Sequence, residues 1–457
     1  MKVNRAMVLG MARSGIAAAR LLLLRGASVV ACDAKPREAF AGALDELERE
    51  GAQLLLGEPH PEDHLEGLDL LVVSPGIRIE HPAIVRAGEL GIEVAGEVEY
   101  AYRESTGLLL AVTGTNGKTT TTTLAGEIFR NAGRTTWVVG NIGAPYSAAV
   151  PKMRPGDVTV CEISSFMMET ASQFHPAVAA VLNISEDHMD RHKTMERYIA
   201  LKERVFMNCG EDDFVVLNYD DPITKDMASR VRGRVVWFSS RNPVPYGAFV
   251  SDGKVVFGEA DAFKPVCEVE EIAIPGEHNL KNALAATAMA SVCCGVPAPV
   301  IRHTLRTFQG VEHRIEFVRE LDGVRFINDS KGTNVDSTIQ AVRAMRKPTV
   351  LILGGYDKHC DFTPLVEEIK KCPISHIVLI GATAEQIAQT LDRCGYPAYE
   401  RCGTDFEAAV RRAFELAEAG GNVLLSPSCA SFDMFSDYEE RGRVFKEIVR
   451  RLEGRRA

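Results

Sequence analysis

The stretch TGTNGKTTTTT, residues 113–123, packs two glycines, a lysine and five consecutive threonines into one short segment. Gly117-Lys118-Thr119 is the tail of a phosphate-binding loop, whose usual form is Gly-x-x-x-x-Gly-Lys-Ser/Thr. That form needs glycine at position 112, which is Val112; the first glycine is Gly114, so the loop is two residues short. The flanks still favour phosphate. LLLAV before it reads as a buried parallel strand. Leu124, Ile128 and Phe129 after it give a helix one buried face. Free N–H groups and the positive dipole end at such a helix start attract anions. Lys118 can then reach the outer phosphates and the Thr119 hydroxyl can ligand Mg²⁺. Helicity alone does not explain five threonines, which are mediocre helix formers.

Other residues fall where chemistry gathers in α/β sheets, just beyond the carboxyl ends of strands. VCEISS puts Glu162 at the end of an apolar strand, where a carboxylate can hold Mg²⁺ directly or through water. NISEDHMDRH offers His188 and His192 four apart, but no third ligand at zinc-like spacing follows. His188, nearer its strand, is the candidate; His192 is expected to be solvated. Lys202 follows Tyr198 by four residues on a helical pattern, and alone would read as a snorkelling surface lysine. Further on, HRIEFV, NDSKGTN, GGYDKHCDF and SPSCASFDMF place Asp329, Lys331, Thr333, Lys358 and Ser431 after strands. Lysines and hydroxyls at one sheet edge suit an anion rich in carboxylate. NDSK and TDFE also read as helix caps.

Three segments must position these groups. The first, AMVLGMARSGIAAARLLLLRGASVVACD, is strand, glycine turn, helix and a second strand ending at Asp33. It resembles half of a dinucleotide-binding unit, except that Ala12 stands where the middle glycine belongs. The second starts near Leu108 and the third near Gly310, and strands alternate with helices in both. The expected architecture is therefore parallel sheets with helices on both faces. A chain of 457 residues has room for about three such domains. Net charge −10 argues against a general nucleic-acid binder. No apolar run is long enough to span a bilayer, and no secretory signal is read at the start. Eleven scattered cysteines without Cys-x-x-Cys pairs suggest reduced thiols and a cytoplasmic protein. The basic tail ERGRVFKEIVRRLEGRRA reads as the solvated face of a terminal helix.

TGTNGKTT, EISSF, NISEDHMDRH, GEHNLKNALAA, HRIE, NDSKGTN, GGYDK and LSPSCASFDMF together resemble the Mur ligases, ATP-dependent amino-acid ligases of peptidoglycan synthesis. VLGMARSG, SPGI and GEVEYAY resemble the branch that adds D-glutamate; a sibling ligase adding another amino acid is the alternative. A dehydrogenase would leave the central loop and Glu162 without purpose, and a P-loop switch has no need of the third segment's lysines. The short loop resembles the family's own form.

The resemblance implies three domains: a Rossmann-like UDP-substrate domain at 1–106, a central ATP-binding P-loop domain at 107–310 and a C-terminal Rossmann-like amino-acid domain at 311–457. It implies ATP contacts at Gly114, Thr115, Asn116, Gly117, Lys118, Thr119, Thr120, Asn279, Asn282, Arg314 and Asp329. UDP-N-acetylmuramoyl-L-alanine would meet Gly10, Ser14, Gly15, Asp33, Ser74, Pro75, Gly76, Asn141 and Ser164. D-glutamate would meet Lys331, Thr333, Lys358, Ser431 and Tyr438. Two Mg²⁺ ions would involve Thr119 with Glu162, and His188 with a carbamylated Lys202. The catalytic set is Lys118, Glu162, His188 and Lys202, in a monomer acting on small molecules away from membranes and nucleic acid. Two positions depart from the family pattern: Gly332, expected to loosen its turn, and Tyr438 in place of phenylalanine.

Overall fold

The computed structural model describes residues 3–40, 42–356 and 360–454. The chain forms two compact units, Met1–Phe308 and Gln309–Ala457. The first holds two sheets and the second holds one.

The five strands of the first sheet are β1 (Arg5–Leu9), β2 (Ser28–Asp33), β3 (Gln53–Leu56), β4 (Leu70–Val73) and β5 (Glu93–Gly96). Their order is β3-β2-β1-β4-β5, all parallel. The chain reverses its direction of travel between β1 and β4, so the turns after these strands flank a switch point, where such sheets bind ligands.

The central sheet contains β6 (Leu108–Thr113), β7 (Thr136–Gly140), β8 (Val158–Glu162), β9 (Val178–Val181), β10 (Phe214–Asn218), β11 (Arg234–Ser239), β12 (Tyr246–Ser251), β13 (Lys254–Glu259) and β14 (Ala262–Glu268). Their order is β14-β13-β12-β11-β10-β9-β6-β8-β7. Strand β6 lies between β8 and β9 with Leu109 to Val112 buried. The carboxyl ends of these three neighbours therefore open onto one place.

The third sheet contains β15 (Glu316–Leu321), β16 (Val324–Asn328), β17 (Thr349–Gly354), β18 (Ile374–Ile380), β19 (Tyr399–Arg401) and β20 (Asn422–Leu425), ordered β15-β16-β20-β17-β18-β19. Apolar clusters cover both of its faces.

The expectation of parallel pairing holds for the strands that carry a candidate site residue at their carboxyl ends, except that β16, parallel to β20, also has an antiparallel neighbour. It fails at two edges: β12, β13 and β14 form an antiparallel meander, and β15 pairs antiparallel with β16. Short turns such as Asp252-Gly253 and Asp322-Gly323, all four residues at positive φ, leave no room for a crossover helix. Of the two sequences read as caps, Asp405 of TDFE accepts the Ala408 N–H as expected. NDSK caps nothing; the helix Val335–Ala344 is capped six residues on by Asn334.

The first and central sheets share one apolar core, running from Ala6 and Leu22 through Val98 to Ile163 and Val181. Glu99, on the helix Glu97–Glu104, adds a polar tie. Its fully buried carboxylate accepts the N–H groups of Gln173 (2.9 Å) and Phe174 (3.0 Å) and pairs with Arg103 Nε at 2.8 Å. Replacing it by alanine leaves buried donors without acceptors. Glu99→Ala is expected to lower the stability of the first unit by about 3–5 kcal/mol, read by urea unfolding against wild type.

Candidate active site

Strand β6 ends at Thr113 and the helix Lys118–Asn131 begins five residues later, so only the four residues Gly114 to Gly117 make the turn. Gly114 has φ 142° and Gly117 has φ 85°. A Cβ on Gly117 would stand 2.3 Å from Asn282 Oδ1. The loop's missing length is compensated by a clamp from the segment after β9. Thr115 N–H donates to the Asn183 carbonyl (2.9 Å), and Asn116 N–H to Asn183 Oδ1 (2.8 Å). The Thr115 hydroxyl donates to the Ser185 carbonyl at 3.1 Å and lies 3.1 Å from the Tyr198 hydroxyl. A shorter loop is thus held rigid by its neighbour strand. The threonine run also finds its reason: Thr119 to Thr122 are all buried, so small polar side chains fit where the helix is covered on several sides. Thr121 donates to Asn282 Oδ1 at 3.3 Å, and Asn282 in turn donates to Asn279.

Two lysines meet on one carbonyl. Lys118 Nζ donates to the Gly114 carbonyl at 2.9 Å and to that of Thr115 at 2.7 Å. Lys202, on the helix Met195–Glu203, donates to the same Gly114 carbonyl at 2.8 Å and lies 5.1 Å from the Tyr198 ring centre. Lys202 is 2% exposed. Burial first, then the charge of Lys118, drives its pKa well below a lysine's ordinary value. The surface reading of this lysine is thereby excluded.

Glu162 ends β8 with 1% exposure. Its Oε1 accepts from Asn141 Nδ2 at 2.8 Å, whereas its buried Oε2 has no hydrogen-bond partner among the described residues. His188 takes a left-handed conformation, φ 55°, at the start of the short helix Met189–His192. Its half-exposed ring packs 4.8 Å from Phe166, with Nε2 3.6 Å from the Asp187 carboxylate. His192 corrects the sequence expectation. It is fully buried between Phe166 and Tyr198, with Nε2 2.9 Å from the Ser165 hydroxyl. Its apolar surroundings, on a four-residue helix, were invisible to a reading based on charge.

At the first sheet's switch point, the Ser74 hydroxyl donates to the Gly10 carbonyl at 2.7 Å, and a Cβ on Gly15 would meet that carbonyl at 1.9 Å. Asp33 Oδ2 accepts the Met11 N–H at 2.7 Å, so the acidic residue orders the turn itself. Ser14, half buried, lies in the first turn of the helix Arg13–Leu24. Arg191 bonds the carbonyls of Pro75 (3.0 Å), Gly76 (3.4 Å) and Ile77 (2.9 Å) while pairing with Glu169 at 2.5 Å. The turn after β4 is thereby tied to the helix that His188 opens. Ser164, after Glu162, accepts the Met167 N–H.

In the second unit, Asp329 follows β16 and is buried. Its Oδ2 accepts from Ser426 Oγ at 2.6 Å and its Oδ1 from the Ile315 N–H at 3.2 Å. Burial raises its pKa to about 6, against the charge of nearby Arg314. Gly332 does not loosen its turn. Its N–H closes on the Asp329 carbonyl at 2.8 Å and its carbonyl accepts Ser428 N–H at 2.8 Å. Lys331 N–H reaches the His313 carbonyl, and its ammonium stands 5.6 Å from the Tyr438 ring centre. Thr333 N–H bonds the Lys331 carbonyl, and buried Ser431 accepts two backbone N–H groups. Tyr438 opens the terminal helix Tyr438–Arg451, and its ring meets His313 edge-on. Lys358 lies outside the described residues. The tail helix is not simply solvated: Arg441 is fully buried and bonds Ser330, Cys429 and Ala430. It fastens the NDSK turn to the SCAS turn, and burial lowers its pKa to about 10.

With this geometry in view, comparison with known proteins is direct. Three family descriptions match in order: the MurD-like N-terminal domain of Mur ligases at 4–96, the Mur ligase middle domain at 112–290 and the Mur ligase glutamate ligase domain at 313–429. A curated relative from Caldanaerobacter subterraneus subsp. tengcongensis, a UDP-N-acetylmuramoylalanine--D-glutamate ligase, is 47% identical over 450 residues, 98% of each chain. The chain belongs to the Mur ligase family. Another enzyme of the same name, from Clostridioides difficile, is 42% identical over 99% of each chain. Solved Mur ligases share the fold. The UDP-N-acetylmuramate-alanine ligase MurC of Thermotoga maritima aligns with TM-score 0.60 at 18% identity, covering 98% of this chain and 99% of its own. The MurF ligase of the same organism aligns with TM-score 0.59 at 17% identity, covering 93% and 96%.

The structure of this Mur ligase brings Lys118, Lys202 and the Gly114 carbonyl together, and Asn141 with Glu162. It places Asn282 against Gly117 and Thr121, with Asn279 bonded to Asn282. Asn183, Arg191 and Arg441 were missed as positioning residues. Asn183 and Arg191 lie inside NISEDHMDRH, so the motif carried the signal; Arg441 sits in a charged run that hides it. Substituting Gly117 by alanine forces a left-handed alanine, costing about 1–2 kcal/mol, and drives a methyl into Asn282. Gly117→Ala is expected to weaken ATP binding at least about tenfold, measured with a fluorescent nucleotide analogue.

Proposed function

We propose that this chain joins D-glutamate to UDP-N-acetylmuramoyl-L-alanine, converting ATP to ADP and phosphate, in the synthesis of peptidoglycan precursors. The observation that carries the reading is the likeness, over almost all of the chain, to curated D-glutamate ligases. The loop geometry supports the chemistry. A carboxylate resists an amine because oxide would have to leave. Transfer of the γ-phosphoryl group to the substrate's terminal carboxylate makes an acyl phosphate. The D-glutamate amine then attacks the acyl carbon and loses a proton, and the tetrahedral intermediate expels phosphate as the amide forms. Lys118 and the N–H groups at the start of the Lys118–Asn131 helix would stabilise charge on the transferring group.

The residues present fit Mg²⁺: the unpartnered, buried Oε2 of Glu162 is a hard oxygen with nothing else to bond among the described residues. Thr119 and Glu162 would hold one ion, and His188 with a carbamylated Lys202 a second; bound Mg²⁺ supplies positive charge beside the phosphates. Only a neutral amine adds CO₂, and the depressed pKa of Lys202 supports that modification.

Residues 1–106 would bind the UDP-linked substrate through Gly10, Ser14, Gly15, Asp33, Ser74, Pro75 and Gly76, with Asn141 and Ser164 from the central domain. Residues 107–310 would bind ATP, with Asn282 at the adenine. Lys331, Thr333, Lys358, Ser431 and Tyr438 would hold D-glutamate. No helix among the described residues is long and apolar enough to cross a membrane. No disulfide joins the cysteines among the described residues, in keeping with a reducing cytoplasm, and we take the working form to be a monomer there.

Phosphate release from ATP with UDP-N-acetylmuramoyl-L-alanine is expected only when D-glutamate is offered. Release with L-alanine or a diamino acid instead would keep the family and overturn the amino acid; silence with every amino acid would overturn the acceptor. Lys202→Ala is expected to lose at least about 10²-fold in kcat and to recover part of it with added formate or acetate. Full activity without them would remove the carbamate.

A further inference from the structure

The helix Glu277–Val292 is followed by two adjacent cysteines, Cys293 and Cys294, that the ligase chemistry does not use. Their sulfurs lie 3.6 Å apart. Neighbouring side chains in extended backbone point to opposite sides. Here Cys294 adopts φ 59°, which folds its side chain back beside that of Cys293. Cys293 is buried, whereas Cys294 is exposed and open to reagents.

A direct disulfide suits this pair poorly. Adjacent Cα atoms are about 3.8 Å apart, below the roughly 4.4–6.8 Å that ordinary disulfides span. An atom inserted between the sulfurs meets no such limit. With bonds to sulfur of about 2.3 Å, sulfurs 3.6 Å apart subtend about 100° at that atom. A linear ion would need them about 4.6 Å apart. Zinc accepts the bent angle but requires four ligands, and among the described residues no group of three or more histidine, cysteine or carboxylate side chains is arranged to hold a metal ion. What remains is a soft centre of low coordination number and bent geometry, for which trivalent arsenic is the match.

We propose that Cys293 and Cys294 form a bidentate binding site for trivalent arsenicals. The exchange needs no oxidant. An organoarsenic oxide, R–As=O, takes both sulfurs in two new As–S bonds, and its oxygen leaves as water with the two thiol protons. The first bond, at exposed Cys294, holds arsenic beside Cys293, so the second forms within the molecule at high effective concentration.

The probe is phenylarsine oxide with the full-length protein. Intact mass is expected to show one phenylarsenic group per chain that survives excess monothiol and leaves with a dithiol, while the thiol count in denaturant falls by two. Cys293→Ser and Cys294→Ser, checked for circular dichroism and ligase activity, should each weaken retention by about 10²-fold or more. Should either serine variant misfold, wild type blocked at Cys294 with N-ethylmaleimide, the site confirmed by peptide mapping, should likewise retain no adduct. An adduct retained equally in both variants and after blocking would overturn the assignment, as would the lack of any monothiol-resistant adduct in wild type.

Discussion

One carbonyl oxygen, that of Gly114, sets the terms for the central site. Lys118 and Lys202 donate to it at 2.9 and 2.8 Å, so their nitrogens are less than about 6 Å apart. Like charges at that separation repel by roughly 3 kcal/mol at an effective dielectric of about 20. Burial of Lys202 disfavours its charge more strongly still, and together the two effects hold its pKa well below a lysine's ordinary value. The backbone that aims this carbonyl has φ 142°, which side-chain-bearing residues avoid. The glycine of the shortened loop therefore controls a lysine almost ninety positions downstream. Glu162 and its Asn141 partner complete the surroundings from the next strand.

Much of this was legible in the sequence, because apolar runs ending in polar residues mark the carboxyl ends of buried strands. β6, β8, β9, β16 and β20 all follow from that rule, as does the helix after the glycine turn. The two antiparallel edges were not legible, since two-residue turns look like any other break between elements. Asp405 was correctly read as a cap, but NDSK was not one: its aspartate is buried under Ser426, away from any helix start.

The misread side chains share a cause. His192 and Arg441 are polar residues in polar company along the chain, and periodicity assigns such residues to solvent. Each is buried because partners distant in sequence meet it: aromatic rings and a serine for His192, three backbone carbonyls and a serine for Arg441. Lys202 escaped the same error only through the motifs around it.

Arg191 grips the turn after β4 entirely through main-chain oxygens. Every amino acid offers the same carbonyl, so side chains in that turn can be exchanged without breaking the grip, provided the backbone path survives. The arginine has no such latitude, since only a planar fork of donors spans three successive peptide groups while pairing with Glu169. Across evolutionary time the two partners are thus bound by unequal rules: one side is free to drift, and the other is held in place by it.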